Sequence, residues 1–306
     1  MKSETLPTTD YKTLTACVKA FLEGAADTAK WPEIIVLGVA SPVVEGAVDL
    51  SNTEWPKVHH SELEKELGVK SVSFINDFVA LGYGVLNSPS SAFLRLNDAP
   101  VQEGLPKALI GAGTGLGEGY LTRGEDSLEY SVHGSEGGHT DFPPRSEEEF
   151  ALLQFTRKEI GVQRISIERV CAGPAIPLIF RFVRDRYPDL KSNIDHLKPT
   201  GPEVFEQALE NDCPTCIKVL EIFTSLYGCE AGNLAVKTLC YGGLYIAGGV
   251  TARIRSYMQK SSIFMDNFLD KGRMRTLMEK IPILVLTEEV GINGAEEYAF
   301  RVMKHL

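Results

Sequence analysis

The sequence predicts an α/β fold built from two domains, and three observations lead there. Apolar runs of strand length alternate with stretches of helical periodicity, the pattern of α/β proteins with mostly parallel sheets. Residues 34–40, IIVLGVA, are apolar without interruption, as in a strand buried on both faces. The 306 residues accommodate about two domains of ordinary size.

Taken in order, residues 10–23 place Leu14, Cys17, Val18, Phe21 and Leu22 on one helical face, with Asp10 as the cap. Strands are expected at 34–40, 46–50 and 71–75, a short helix at 61–67 after a Ser61 cap, and a further helix at 78–86. The Ser/Pro-rich stretch 87–91 reads as a linker and domain crossing. A glycine-rich strand pair follows at 107–122. Helices then dominate at 147–160, 167–170, 175–186, 202–210 and 215–239. A buried strand at 241–247 leads into a helix opening at 252–257. The last strand is expected at 283–286 and the last helix at 294–305.

Composition removes several classes of function. A hydrophobic content of 43% with 24% charged residues suits a soluble chain with a sizeable core. The net charge of −10 argues against a general nucleic-acid or acidic-membrane partner, so an anionic ligand would need local amides, a metal ion or a few placed cations. Cys213 and Cys216 have redox or zinc spacing, but no second pair stands at a zinc-site interval, so they read as cysteines at a helix start. No run is long enough to span a bilayer, and the first residues lack the apolar core of a signal peptide. The cytoplasm is therefore the expected compartment. The ending Lys304-His305-Leu306, a distant version of a peroxisomal address, leaves a peroxisome-like organelle as the alternative.

The chemistry concentrates around residues 107–120. An apolar run, Ala108-Leu109-Ile110, feeds a glycine at every second position: Gly111, Gly113, Gly115 and Gly117, with Thr114 at the centre. Such a turn can aim several amide N–H groups and the Thr114 hydroxyl at one anion. A dinucleotide fingerprint would need a helix next, whereas Glu118-Gly119-Tyr120-Leu121-Thr122 reads as a strand. The stretch is thus either a strand–turn–strand cradle for a phosphate chain or an ordinary glycine-rich hairpin. Asn76 and Asp77 follow a strand directly, at the end where α/β sheets bind ligands. Asp77 there could accept the proton of a hydroxyl turned nucleophile, or the pair could merely cap the next helix. Glu136 and His139 flank two glycines and together offer an acceptor and a switchable donor, which suits sugar hydroxyls. Glu168 could supply another carboxylate or simply face solvent in a first helical turn. Gly248 and Gly249 either admit a flat ring such as adenine or form a tight strand-to-helix turn. Asn52 and Trp55 either border a small polar ligand or, for the tryptophan, fill the core. The run Glu147-Glu148-Glu149 reads as a solvated helix start rather than a metal site. Neither a G-x-S-x-G elbow nor a Walker A string occurs, so phosphate handling would fall to the glycine hairpin.

Together these stretches resemble the bacterial-type glucokinases of the actin-like (ribonuclease H-like) sugar kinase superfamily. The matching pieces are FINDF around Asp77, LIGAGTGLG, SEGGHTDFPPRSEEE, IERVCAGPA and LYIAGGVTAR, in family order over roughly residues 74–254. The resemblance implies ATP-dependent, Mg²⁺-assisted phosphorylation of glucose on its 6-hydroxyl, by a homodimer. It implies that Asp77 is the general base and that Asn76, Asp77, Glu136, His139 and Glu168 hold the sugar. Gly111, Gly113, Thr114 and Gly115 would line the phosphate chain, and Gly248 and Gly249 the adenosine. Residues 1–88 would form a small α/β domain on which the helix 292–306 packs back, and 89–291 a large α/β domain. A different superfamily kinase acting on another sugar or on a carboxylic acid is disfavoured by the Glu136, His139 and Glu168 set, which suits neutral hydroxyls better than an anionic substrate.

One departure from the family pattern stands out. Its opening hairpin, D-x-G-G-T-x-x-R, occurs nowhere in this sequence, and the first helix resembles the one that normally follows that hairpin and two further strands. The small domain is therefore expected to be truncated at its N-terminus, through an incomplete gene model, an isoform, or a relative that has lost transfer chemistry. In the last case the chain is a catalytically silent sugar-binding or regulatory protein. Residues 34–40 would then form an apolar false edge. On this reading the chain expressed alone is poorly soluble and turns over glucose feebly, which an assay of soluble yield and glucose-dependent ADP release checks.

Overall fold

Contacts part the chain into two units, Met1–Ser88 with Glu289–Leu306, and Pro89–Glu288. The computed structural model describes residues 4–24, 31–50, 53–124, 127 and 129–304. Asn52, His305 and Leu306, and with them the reading of Asn52 as a ligand neighbour and of the terminal tripeptide as an address, lie outside the described residues.

In the first unit, helix α1 (Leu14–Gly24) starts later than Asp10 suggests. Asp10 instead ends a 3-10 turn at Thr8–Asp10. The Thr13 hydroxyl accepts the Ala16 N–H at 3.1 Å, which is the bond a cap must make, and Asp10 stands too far upstream to make it. Strand β1 (Ile34–Val39) is followed by a small antiparallel sheet of β2 (Val43–Val44), β3 (Ala47–Val48) and β4 (Val58–His59). Helix α2 (His60–Leu67) is capped by the His59 ring, which accepts from the Ser61 N–H, and not by Ser61 itself. Gly68 ends it with a left-handed φ of 67°. Strand β5 (Ser71–Asn76) then pairs in parallel with β1, Ile34 opposite Ser71 through Val39 opposite Asn76, and runs into α3 (Asp77–Asn87). Burial of β1 is less than its composition suggests. Ile35 and Val39 are buried and Val36 and Leu37 only half so, because among the described residues β1 has a strand neighbour on one side alone.

The second unit is organised on a mixed sheet. Its strands are β6 (Phe93–Arg95), β7 (Lys107–Ala112), β8 (Leu116–Arg123) and β9 (Tyr130–Ser135), joined later in the chain by two more. Helices α4 (Glu147–Ile160) and α5 (Ala175–Arg186) keep the bounds their periodicity predicts, α6 (Gly201–Leu209) opens on a capping box from Thr200 and Glu203, and α7 (Pro214–Thr238) follows. Strand β10 (Leu244–Ala247), helices α8 (Gly249–Lys260), α9 (Ile263–Leu269) and α10 (Arg275–Met278), and strand β11 (Ile283–Leu286) complete the unit. The strand order among the described residues is β6-β11-β10-β7-β8-β9. Only β7–β10 and β10–β11 are parallel; β6–β11, β7–β8 and β8–β9 are antiparallel. The expectation of mostly parallel sheets therefore fails, since connections as short as 113–115 can only join antiparallel neighbours. Every residue of β7 is buried, and α7 is buried along most of its length, with Phe223 and Tyr227 inaccessible to solvent. A helix enclosed by the core needs no apolar stripe.

Trp55 and Glu149 settle two open readings of the sequence. Trp55 is buried and its indole N–H donates to the Tyr11 carbonyl at 2.7 Å, so it is a core residue with its polar atom already engaged. The Glu147–Glu149 run does start α4, capped by Ser146, but Glu149 is buried against Arg145 and not solvated. Cys213 caps α7 and Cys216 lies in its first turn, both as free thiols, in line with the helix-start reading.

The chain returns to the first unit with α11 (Gly291–Met303), which packs along α3. Two glycines permit the approach: a Cβ at Gly294 would run into the Ala80 carbonyl, and one at Gly84 into the Val290 carbonyl. Backbone on both sides leaves no flexible atom to yield. Gly294→Ala is therefore expected to lower the unfolding free energy by about 3 kcal/mol, the upper range of overpacking costs, as read from urea denaturation.

Candidate active site

The tip of the β7–β8 hairpin, residues 112–116, is where the second unit gathers its candidate residues. Gly113 N–H donates to the Gly115 carbonyl at 2.8 Å, which closes the turn. The amides of Thr114 and Gly115 carry no hydrogen bond among the described residues, and Thr114 is exposed. A turn with two uncommitted amides can receive an anion. No helix follows it, which rules out the dinucleotide fingerprint. Gly111 is different in kind: it lies within β7, opposite Gly117 on one side and Ala247 on the other, so the sheet uses its backbone.

Three other segments close on this tip. The first is the loop after β9, where a 3-10 turn at Gly137–His139 lies between Glu136 and Thr140. Gly138 is buried there, and a Cβ on it would strike the Leu116 carbonyl. Glu136 and His139 stand beside it, 59% and 61% exposed, with carboxylate and imidazole 3.7 Å apart. The second is a 3-10 turn at Ile167–Arg169, joined to the first by the Ile167 N–H bond to the Thr140 carbonyl at 2.9 Å. Half-buried Glu168 lies on it, and its Oε2 accepts the Leu116 N–H at 3.0 Å. Its Oε1 carries no bond among the described residues. Just beyond, Gly173 N–H donates to the Gly113 carbonyl at 2.8 Å. The third is the β10–α8 turn. Gly248 has φ 98°, and a Cβ on it would collide with the Ala112 carbonyl, so glycine is required twice over. Gly249 begins α8 and has open space where a side chain would project, as Gly113 does.

One buried tyrosine, invisible to motif reading, ties these pieces together. The Tyr227 hydroxyl from α7 receives the Ala112 N–H at 3.3 Å, bonds the Thr251 hydroxyl at 2.9 Å and reaches the Ala247 carbonyl at 3.4 Å. Burial pushes its phenol well above the ordinary range, so it stays protonated and serves as a fixed donor and acceptor. Glu118, two residues past the tip, was also missed. The signal was available: a carboxylate between two glycines on a strand whose neighbour β7 is apolar after Lys107.

Asn76 and Asp77 belong to the first unit. Asn76 Oδ1 accepts the Phe78 N–H at 2.9 Å and caps α3, and Asp77 Oδ1 accepts the same N–H at 3.0 Å. The capping role raised by the sequence is thus present. It engages the amide oxygen of Asn76 and leaves its Nδ2 as a donor.

The architecture is that of the actin-like sugar kinases. A glucokinase from an Antarctic psychrotroph superposes with a TM-score of 0.81 at 27% identity, over 97% of this chain and 89% of that one. A ROK family glucokinase from Streptomyces griseus, solved in complex with glucose and AMPPNP, shares the fold with a TM-score of 0.61 at 18% identity, over 95% and 89% of the two chains. At the level of sequence, the Glucokinase family model matches residues 1–302. The glucokinase of a Nostoc species is 37% identical over 96% of this chain and 89% of its own length. The chain belongs to the glucokinase family.

The bond between Glu168 and the Leu116 amide yields a test in the ligand-free protein. In Glu168→Ala the hairpin tip loses its acceptor, and the Leu116 amide should exchange with solvent about tenfold faster, the equivalent of one hydrogen bond. Hydrogen exchange resolved at that residue measures it.

Proposed function

We propose that this chain transfers the γ-phosphoryl group of ATP to the 6-hydroxyl of glucose. The observation that carries the proposal is the bond from Glu168 to the hairpin tip. A carboxylate suited to a sugar hydroxyl and the amides suited to a phosphate chain are parts of one hydrogen-bonded turn. Phosphoryl transfer depends chiefly on such positioning.

Each residue then has a defined task. Glu136, His139 and Glu168 hold sugar hydroxyls, the carboxylates accepting and the imidazole donating or accepting. Asn76 donates to the sugar through Nδ2. Asp77 accepts the 6-hydroxyl proton as the oxygen attacks the γ-phosphorus and ADP departs. The N–H groups of Thr114 and Gly115 and the bare Cα of Gly113 face the phosphate chain, and Gly248 and Gly249 let the adenosine approach. Mg²⁺ fits here as an ion carried by the nucleotide phosphates, where it would neutralise their charge.

We assign the protein to the cytoplasm and to a homodimer. All six cysteines are free thiols, which supports a reducing compartment, and among the described residues no helix is long and apolar enough to cross a membrane. The dimer rests on the family resemblance, and light scattering on the purified chain should return twice the mass of 33.6 kDa.

Glucose-dependent ADP release from ATP, however slow, is the expected activity. Asp77→Asn should reduce its kcat by about 100-fold or more while the KM for glucose moves only a few-fold, as removal of a general base does. Full activity in that variant would remove Asp77 from the role of base.

A further inference from the structure

Two carboxyl groups lie buried beneath the Glu136–His139 loop, where an ionised pair would be held by one amide and one lysine alone among the described residues. Glu118 on β8 and Glu230 on α7 are each 2% exposed. Asn233 donates to Glu230 Oε2 at 2.9 Å. Glu118 Oε2 occupies the space below Gly137, where a Cβ would strike it. The remaining oxygens, Oε1 of both residues, are buried without a donor among the described residues. A carboxylate can only accept, so two of them facing each other leave both oxygens unsatisfied and both charges repelling. A single proton held between them removes both penalties at once.

We propose that Glu118 and Glu230 are positioning residues for the sugar loop: sharing one proton, they clamp β8 to α7 under Gly137 and hold Glu136 and His139 in place, and loss of that proton releases the loop. The inference rests on the assignment of Glu136 and His139 to the sugar. Ser135, paired with Glu118 across β8 and β9, gives its hydroxyl oxygen to the Gly137 N–H at 3.0 Å, so the loop begins directly on the carboxyl pair.

The surrounding charges do not alter the outcome. From α7 the pair is faced by Lys237, Tyr227 and Cys229, and from the turn after Ile167–Arg169 by Cys171. Lys271 neighbours Cys229, and Glu136 and His139 are on the exposed side of the loop. Cys171 and Cys229 are pushed up by burial and stay neutral; Lys237 is the cation acting on Glu118. Glu118 is nevertheless pushed up to about 8, first by burial, then by the charge of Glu230, with Lys237 opposing. A pocket of ≈ 360 Å³ borders Glu230, Asn233, Lys237 and Lys271, so water can meet a second charge once the proton has gone. The folded state keeps this proton where an unfolded chain has lost it. The contribution to stability is thus full below the ordinary carboxyl value of 4.5, falls as pH rises, and is exhausted once pH passes about 8.

The test compares the parent chain with Glu118→Gln and Glu230→Gln, whose amides donate without titrating. By calorimetry, the glucose Kd of the parent should weaken about five-fold or more between pH 7 and pH 9.5, and that of either variant less than about two-fold. Amide protection factors at His139 and Thr140 in the ligand-free parent should fall over the same range and stay level in the variants. An equal alkaline fall in parent and variants overturns the proposal. If neither variant folds, infrared spectroscopy of the parent decides: a protonated carboxyl band at pH 7 that vanishes by pH 9.5 supports the pair, and its absence at pH 7 refutes it. If the parent binds no glucose at any pH, the sugar assignment fails, and the protection factors and infrared band still judge the shared proton.

Discussion

Everything proposed for the second unit depends on how closely backbones crowd the five residues 112–116. The carbonyls of Ala112, Gly113 and Leu116 are met by Gly248, Gly173 and Gly138, three glycines from three segments far apart in the chain. At such distances no side chain can intervene, so the geometry is set by peptide units, the stiffest parts of the chain. A site assembled this way does not rely on rotamers to hold its shape. Only its outermost groups, the Glu136 and His139 side chains and the Thr114 hydroxyl, are left to adapt to a ligand.

The glycines of the motifs therefore fall into two kinds, which the sequence alone could not separate. Gly138, Gly173 and Gly248 are glycine because a neighbouring carbonyl occupies the place of a side chain. Gly113 and Gly249 have open space there, and no packing demand explains them. Absence of a side chain beside empty space is what an approaching ligand requires. Contact distances distinguish the scaffold from the surface it presents.

Long elements with strong local signals were legible. Helix α4, helix α5 and strand β11 run where their periodicity and composition place them, and the strand that continues past Gly115 was evident from the absence of any helical pattern. Features decided by distant partners were not. Thr13 displaces Asp10 as a cap through a bond only the folded turn reveals. Strand β1 reads as doubly buried from its composition, but burial depends on neighbours that composition does not count. Glu149 looked solvated in a run of three glutamates until Arg145 folded over it. Tyr227 and Glu230, one helical turn apart in the buried middle of α7, leave no amphipathic trace, and their roles follow from the strands they touch.

These buried polar groups carry the least legible part of the site and the part most able to tune it. Rigid peptide contacts fix where the loop and the hairpin tip meet, but they do not respond to conditions. A hydroxyl such as that of Tyr227 bonds in one arrangement over the whole accessible pH range, because burial keeps it protonated. A carboxyl pair is different in principle, since its attraction exists in one protonation state and turns to repulsion in the next. Placed under Gly137, it acts on the loop that carries the exposed Glu136 and His139 side chains, while the tip's own peptide contacts remain intact. The same unit thus separates the geometry of the hairpin tip, fixed by backbone, from that of the Glu136–His139 loop, which lies over a buried carboxyl pair.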